Sequence, residues 1–84
     1  DDRLLTLTLE DGTPSESLIG RALKDILLSE GTLIALVRRG HDVVIPRGAT
    51  VLQRGDRLTI IGEPAGLRAL EERFKQQASS PEVS

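Results

Sequence analysis

The chain has 84 residues and a mass of 9.1 kDa, so it makes one small domain that buries only about 60% of its unfolded surface and is marginal as a lone monomer. Hydrophobic residues make up 38% and charged residues 29%, a balance that fits a folded globular unit rather than a disordered one. A net charge of −2 argues against a generic nucleic-acid or acidic-membrane binder. The absence of cysteine excludes a disulfide framework, a thiolate nucleophile and a cysteine-ligated zinc site. His41 is the one histidine, so a multi-histidine metal centre is excluded within one chain.

Methionine is absent and residue 1 is Asp, which predicts a fragment or processed product of a longer protein. No apolar run exceeds Leu33–Val37, so the sequence contains no membrane span and no secretory signal.

Leu5-Thr6-Leu7-Thr8-Leu9 alternates apolar and polar and predicts a strand with its leucines inward. Glu10 to Pro14 carries turn residues. Leu18, Ile19, Ala22, Leu23, Ile26 and Leu27 then fall at helical spacing, with Arg21, Lys24 and Asp25 on the opposite side. Two starts fit this helix. Thr13, Pro14 and Glu16 make a capping box, whereas Ser17 makes a cap for a helix beginning near Leu18. The later start is preferred because the apolar spacing begins there, and Gly31 is the natural stop.

Leu33–Val37 predicts a central strand, Arg38–Asp42 a hairpin loop and Val43–Ile45 the return strand, stopped by Pro46. Thr50–Leu52 is a short extended piece, Arg54-Gly55-Asp56 a turn, and Leu58–Ile61 a strand with Leu58 and Ile60 on one face and Thr59 and Ile61 on the other. Pro64 suits the first turn of a second helix whose stripe is Leu67, Leu70 and Phe74. From Ala78 onward the composition predicts a frayed tail, residues 78–84. The expected architecture is α+β: a mostly antiparallel sheet with two helices on one face, in the order β-α-β-β-(β)-β-α.

Taken together, Ser17-Leu18-Ile19-Gly20-Arg21-Ala22-Leu23, Leu33 through Gly40, Ile45-Pro46-Arg47-Gly48 and Val51 through Gly62 resemble the RCK C-terminal domain, also called the TrkA-C domain, across residues 4–75. No single element is specific; their order is. The resemblance implies a regulatory domain on the cytoplasmic face of the membrane, attached to the membrane-embedded part of a cation/proton antiporter, potassium transport system or anion symporter. It implies a two-fold homodimer, and in some members a small anionic effector such as a cyclic dinucleotide or nucleotide held in the dimer cleft. The positions that match the family's ligand site are Leu18, Ile19, Arg21, Val44, Ile45 and Pro46, with apolar side chains for a purine and Arg21 for a phosphate. Resident cofactors, metals and nucleic acid are not expected. A purely structural dimerisation module is the alternative.

Other features read as structural. Arg38, Arg39, His41 and Arg47 are taken as a solvated loop cluster rather than an anion site. Gly20, inside the predicted helix, costs about 1 kcal/mol relative to alanine, which a close backbone approach would explain. Glu10 and Asp11 are poorly placed as an acid/base pair, Ser15 and Ser17 lack a histidine at helpful spacing, and no phosphate loop or dinucleotide fingerprint occurs, so the chain is not expected to be an enzyme.

Overall fold

A computed structural model describes residues 3–75; the predicted tail lies outside the described residues. Strands β1 (Leu4–Thr8), β2 (Thr32–Arg39), β3 (Asp42–Val44) and β4 (Arg57–Gly62) form one antiparallel sheet in the order β1-β4-β2-β3. One helix, α1 (Pro64–Arg73), follows β4. The α+β, largely antiparallel architecture read from the sequence is therefore present.

Alternation sets the two faces of the sheet. Leu5 and Leu7 oppose Ile60 and Leu58 across β1–β4, and Ile34 and Val37 oppose the same two residues across β2–β4. A register shift between Ile34 and Leu36 absorbs the extra residue Ala35 as a bulge. On this inner face Leu9, Leu18, Val37, Leu52, Leu58, Ile60, Leu67, Leu70 and Phe74 form the core. Helix α1 begins with Pro64 at a position that needs no amide donor, and Glu63 N–H donates to Gly31 O at 3.0 Å, tying the helix start to the entry of β2. Its predicted stripe of Leu67, Leu70 and Phe74 is the face it buries. The Arg73 guanidinium lies 4.8 Å from the Phe74 ring centre and donates to Leu27 O, closing the far end of the core. Leu70 is fully buried, so Leu70→Ala is expected to destabilise the fold by about 2–5 kcal/mol in urea unfolding.

The first predicted helix is corrected. In its place are two short 3₁₀ turns, Pro14–Leu18 and Leu23–Asp25, joined by extended chain. The earlier of the two starts is where the first turn sits: Pro14 occupies its first position, and Glu16 Oε1 accepts from Gly12 N–H at 2.9 Å. The later start fails because Ile19 and Ala22 are extended and Gly20 has φ +87°. Backbone pairing with the 50–52 segment takes the groups a helix would use: Gly20 N–H donates to Leu52 O, Leu52 N–H to Arg21 O and Leu23 N–H to Thr50 O. Gly20 is therefore a glycine for its left-handed conformation, and not for a close approach, since nothing lies within 4 Å of where its Cβ would be. The apolar residues still reach the core: Leu18 belongs to it, and Ile19, Leu23, Ile26 and Leu28 pack against it. Leu27, which a helical stripe would bury, is 83% exposed.

Candidate ligand-binding site

The six residues singled out from the sequence lie on segments 18–21 and 44–46, and the fold pairs the stretches that continue them. The Gly20–Asp25 chain runs against the 47–52 segment, through the Ala22–Val51 bridge and a bond from Lys24 N–H to Gly48 O at 2.9 Å. The second segment begins at the turn after β3, where Thr50 Oγ1 accepts from Arg47 N–H at 3.0 Å and donates to Ile45 O at 3.2 Å. The cationic side chains Arg21, Lys24 and Arg47 thus sit on adjoining stretches of chain, all exposed. Arg21 Nη2 donates to Asp25 O at 2.9 Å, which fixes its guanidinium beside the Leu23–Asp25 turn and leaves its other donors for a ligand.

The six are not equally available. Ile45 is 58% exposed and Arg21 is exposed, while Ile19 and Pro46 are half-buried. Leu18 is a core residue at 3% exposure, and Val44 packs inward opposite Val37. Leu18 and Val44 are therefore closed to a ligand within one chain, whereas Ile19, Arg21, Ile45 and Pro46 keep part or most of their surface exposed.

The basic cluster around the hairpin is divided by the fold. Arg39 is not a solvated loop residue. Its Nε and Nη2 donate to Asp56 Oδ1 and Oδ2, each at 2.9 Å, and Nη2 also donates to Val51 O at 3.0 Å. Asp56 is fully buried and also accepts from Gln53 N–H at 2.9 Å, as its place after Gly55 predicts. Burial alone pushes the Asp56 carboxyl up, but Arg39 and the Gln53 amide outweigh it and hold it below the usual carboxylate value. This bidentate pair, with the Val51 carbonyl, ties the 51–56 segment to the end of β2. Arg38, one residue earlier, points to the opposite face of the sheet. The sequence carried no sign that Arg39 and Asp56 meet; both lie in the stretches that resemble the family.

A separate groove of about 690 Å³ lies beside the other sheet edge, between β1 and the end of α1, lined among others by Leu5, Leu7, Glu10, Glu71 and Phe74. None of the six candidate residues lines it. Among the described residues no cluster of acidic, histidine or cysteine side chains could hold a metal, and no helix is long and apolar enough to cross a membrane.

A four-stranded antiparallel sheet, one terminal helix and a glycine–aspartate turn that anchors the last strand define a small α+β domain of the RCK C-terminal type. The TrkA-C domain profile matches residues 13–75, and the chain belongs to that family. It is 39% identical over 70 residues to the K(+)/H(+) antiporter NhaP2 of Shewanella oneidensis, covering 83% of this chain and 12% of that protein. It is 33% identical over 70 residues to a Trk system potassium uptake protein TrkA homolog of Archaeoglobus fulgidus, covering 83% of this chain and 16% of that protein. The chain thus spans less than a fifth of the length of these curated relatives. A solved structure of an RCK domain with cda superposes with a TM-score of 0.69 at 19% identity, covering 87% of this chain and 99% of that one, and so shares the fold.

Proposed function

We propose that this chain is the cytosolic regulatory domain of a cation/proton antiporter or potassium-uptake protein, that it works as a two-fold dimer, and that a small anionic effector of the cyclic dinucleotide or nucleotide class biases it. The observation that carries this reading is the backbone pairing of the 20–25 and 47–52 segments, which sets Arg21 and Lys24 beside the stretch that begins with Arg47 and follows the exposed Ile45. Guanidinium and ammonium groups recognise phosphate oxygens, and the apolar side chains of Ile45, Pro46 and Ile19 are the ones with surface free to meet a base. The membrane-transport character of the relatives and the ligand named for the fold neighbour are consistent with it.

An effector can shift transport only through different affinities for two arrangements of the dimer. A ligand in a cleft between two copies has that property, because its contacts change when the copies rotate. Calorimetric titration of the chain with cyclic di-AMP, cyclic di-GMP and ATP, alongside sedimentation equilibrium, tests the reading. The expected result is a dimer that binds one of these ligands at one per two chains, with binding lost in Arg21→Ala. A chain that stays monomeric at its highest soluble concentration and gives no heat with any of the three overturns it.

The second reading, a structural dimerisation module without a ligand, is favoured by the β3 edge. That strand has three residues and a side left unpaired among the described residues, and Val43, Ile45 and Val51 are 51%, 58% and 46% exposed around it. A dimer that is silent in calorimetry and is broken by Ile45→Glu identifies that case.

A further inference from the structure

The outer face of the sheet, opposite α1, is covered by no element among the described residues. The register lays its side chains out in rows across the strands. Leu4, Ile61 and Leu33 form the row at one end, at 44%, 38% and 54% exposure. Thr6, Thr59 and Leu36 form the next, and Thr8, Arg57, Arg38 and the exposed Val43 form the last, with the two arginines directly opposite each other. Like charges directly opposed across two strands destabilise a sheet, so this pair is unfavourable in the isolated chain. Neither guanidinium has a hydrogen bond or ion pair among the described residues. Within the four strands this face carries no acidic side chain: Asp42 is their one carboxylate, and its register partner is Arg39, on the inner face.

We infer that this face docks on an anionic phospholipid bilayer, with Arg38 and Arg57 on lipid phosphates and Leu4, Leu33 and Ile61 in the interfacial layer. The charge is complementary, and a face that carries exposed apolar side chains at one end and two arginines beside Val43 at the other suits the layer where acyl chains meet headgroups. A second copy fits less well. Packed row on row, two such faces would oppose four arginines; packed in the reverse sense, they would bury each arginine pair against leucine and isoleucine without a partner. The inference takes from the proposed function only that the parent protein places the chain beside a membrane. It uses none of the residues of the candidate ligand site, so it can fail while that reading stands.

The test is co-sedimentation of the 84-residue chain with phosphatidylcholine vesicles containing one third phosphatidylglycerol, and with pure phosphatidylcholine, at low ionic strength. A net charge of −2 repels the chain as a whole from anionic lipid, so adsorption requires a face of this kind. Binding to the anionic vesicles is expected, weakened about tenfold or more in the double variant Arg38→Gln, Arg57→Gln and also weakened in Leu33→Ser. All three substitutions lie on the surface, and a cooperative thermal melt, no lower than the parent chain's in the arginine variant, confirms that the variants fold. Failure to bind the anionic vesicles, equal binding to both vesicle types, or binding indifferent to the double substitution overturns the inference. So does saturable binding of free pyrophosphate or of an acidic peptide at these arginines without vesicle binding, which would assign the pair to a soluble anion or a protein partner. Loss of a dimer in Leu33→Glu would assign the face to a second copy and overturn it as well.

Discussion

Replacing Asp56 by alanine is expected to destabilise the domain by about 1.5–3 kcal/mol, the range for lost hydrogen bonds to a charged group, because the Arg39 guanidinium left behind is 32% exposed and reaches water. The carboxylate is fully buried and holds three hydrogen bonds, two from Arg39 and one from the Gln53 amide. Alanine leaves the Arg39 guanidinium with Val51 O alone and leaves the Gln53 amide without its acceptor. Arg39→Ala strands the fully buried carboxylate and is expected to cost more, about 3–5 kcal/mol, while Arg39→Lys recovers only part because an ammonium cannot make the bidentate contact. Urea unfolding of the two alanine variants and their double variant measures the coupling. A double variant no worse than either single one is expected, and simple additivity would show that the two side chains act separately.

The same pair sets an acid dependence. Asp56 has a folded pKa below its unfolded value, so the unfolded state binds the proton more readily. Its contribution is fully present above the ordinary carboxylate value of about 3.9 and is lost as the pH falls from there through the folded pKa. Asp56→Asn, which keeps an acceptor for the Gln53 amide, is expected to remove this part of the acid unfolding limb. An acid limb of unchanged steepness in that variant would show that other carboxylates control it.

The strands and the second helix were legible in the sequence because their signals are local. Leu5, Leu7 and Leu9 alternate with threonines, Leu58 and Ile60 with polar or outward neighbours, and Leu67, Leu70 and Phe74 repeat at helical spacing behind Pro64. The segment from Ser17 to Leu28 was not legible, because its apolar spacing is satisfied equally by irregular chain that pairs with residues 50–52. Gly20 was the available signal: its left-handed φ fits extended chain reversing between two turns and does not fit a helix interior. The candidate site was legible in part. Arg21 and Ile45 are exposed as that reading needs, but strand alternation with Val43 outward turns Val44 inward, and Leu18 is drawn into the core by the 3₁₀ turn it ends. The meeting of Arg39 with Asp56, and of Arg38 with Arg57, depends on the register of β2 against β4, which includes a bulge that no local pattern announces.

That register also makes Gly62 the position least able to change. Gly62 opposes Thr32 at the end of β4, and a Cβ placed there would lie 2.7 Å from Thr32 Cα and 3.0 Å from Gly31 C, as well as against the Gly31 carbonyl oxygen. These are backbone atoms, so no rotamer relieves the overlap. The Gly31 carbonyl is also the acceptor for Glu63 N–H, and moving it aside loosens the start of α1. Gly62→Ala is therefore expected to cost about 3 kcal/mol or more, at or beyond the upper end of ordinary overpacking. Gly20→Ala is the matched control. It has the same chemistry at φ +87° but open space around the new methyl, so only the left-handed penalty of about 1–2 kcal/mol applies. In a domain of this size each kcal/mol lowers the midpoint by about 4–8 °C, so the two variants separate clearly in thermal melts followed by circular dichroism. A Gly62→Ala chain that melts no lower than Gly20→Ala would mean that β4 does not end against Gly31 and Thr32, and would undo the β2–β4 register on which both the ion pair and the arginine row stand.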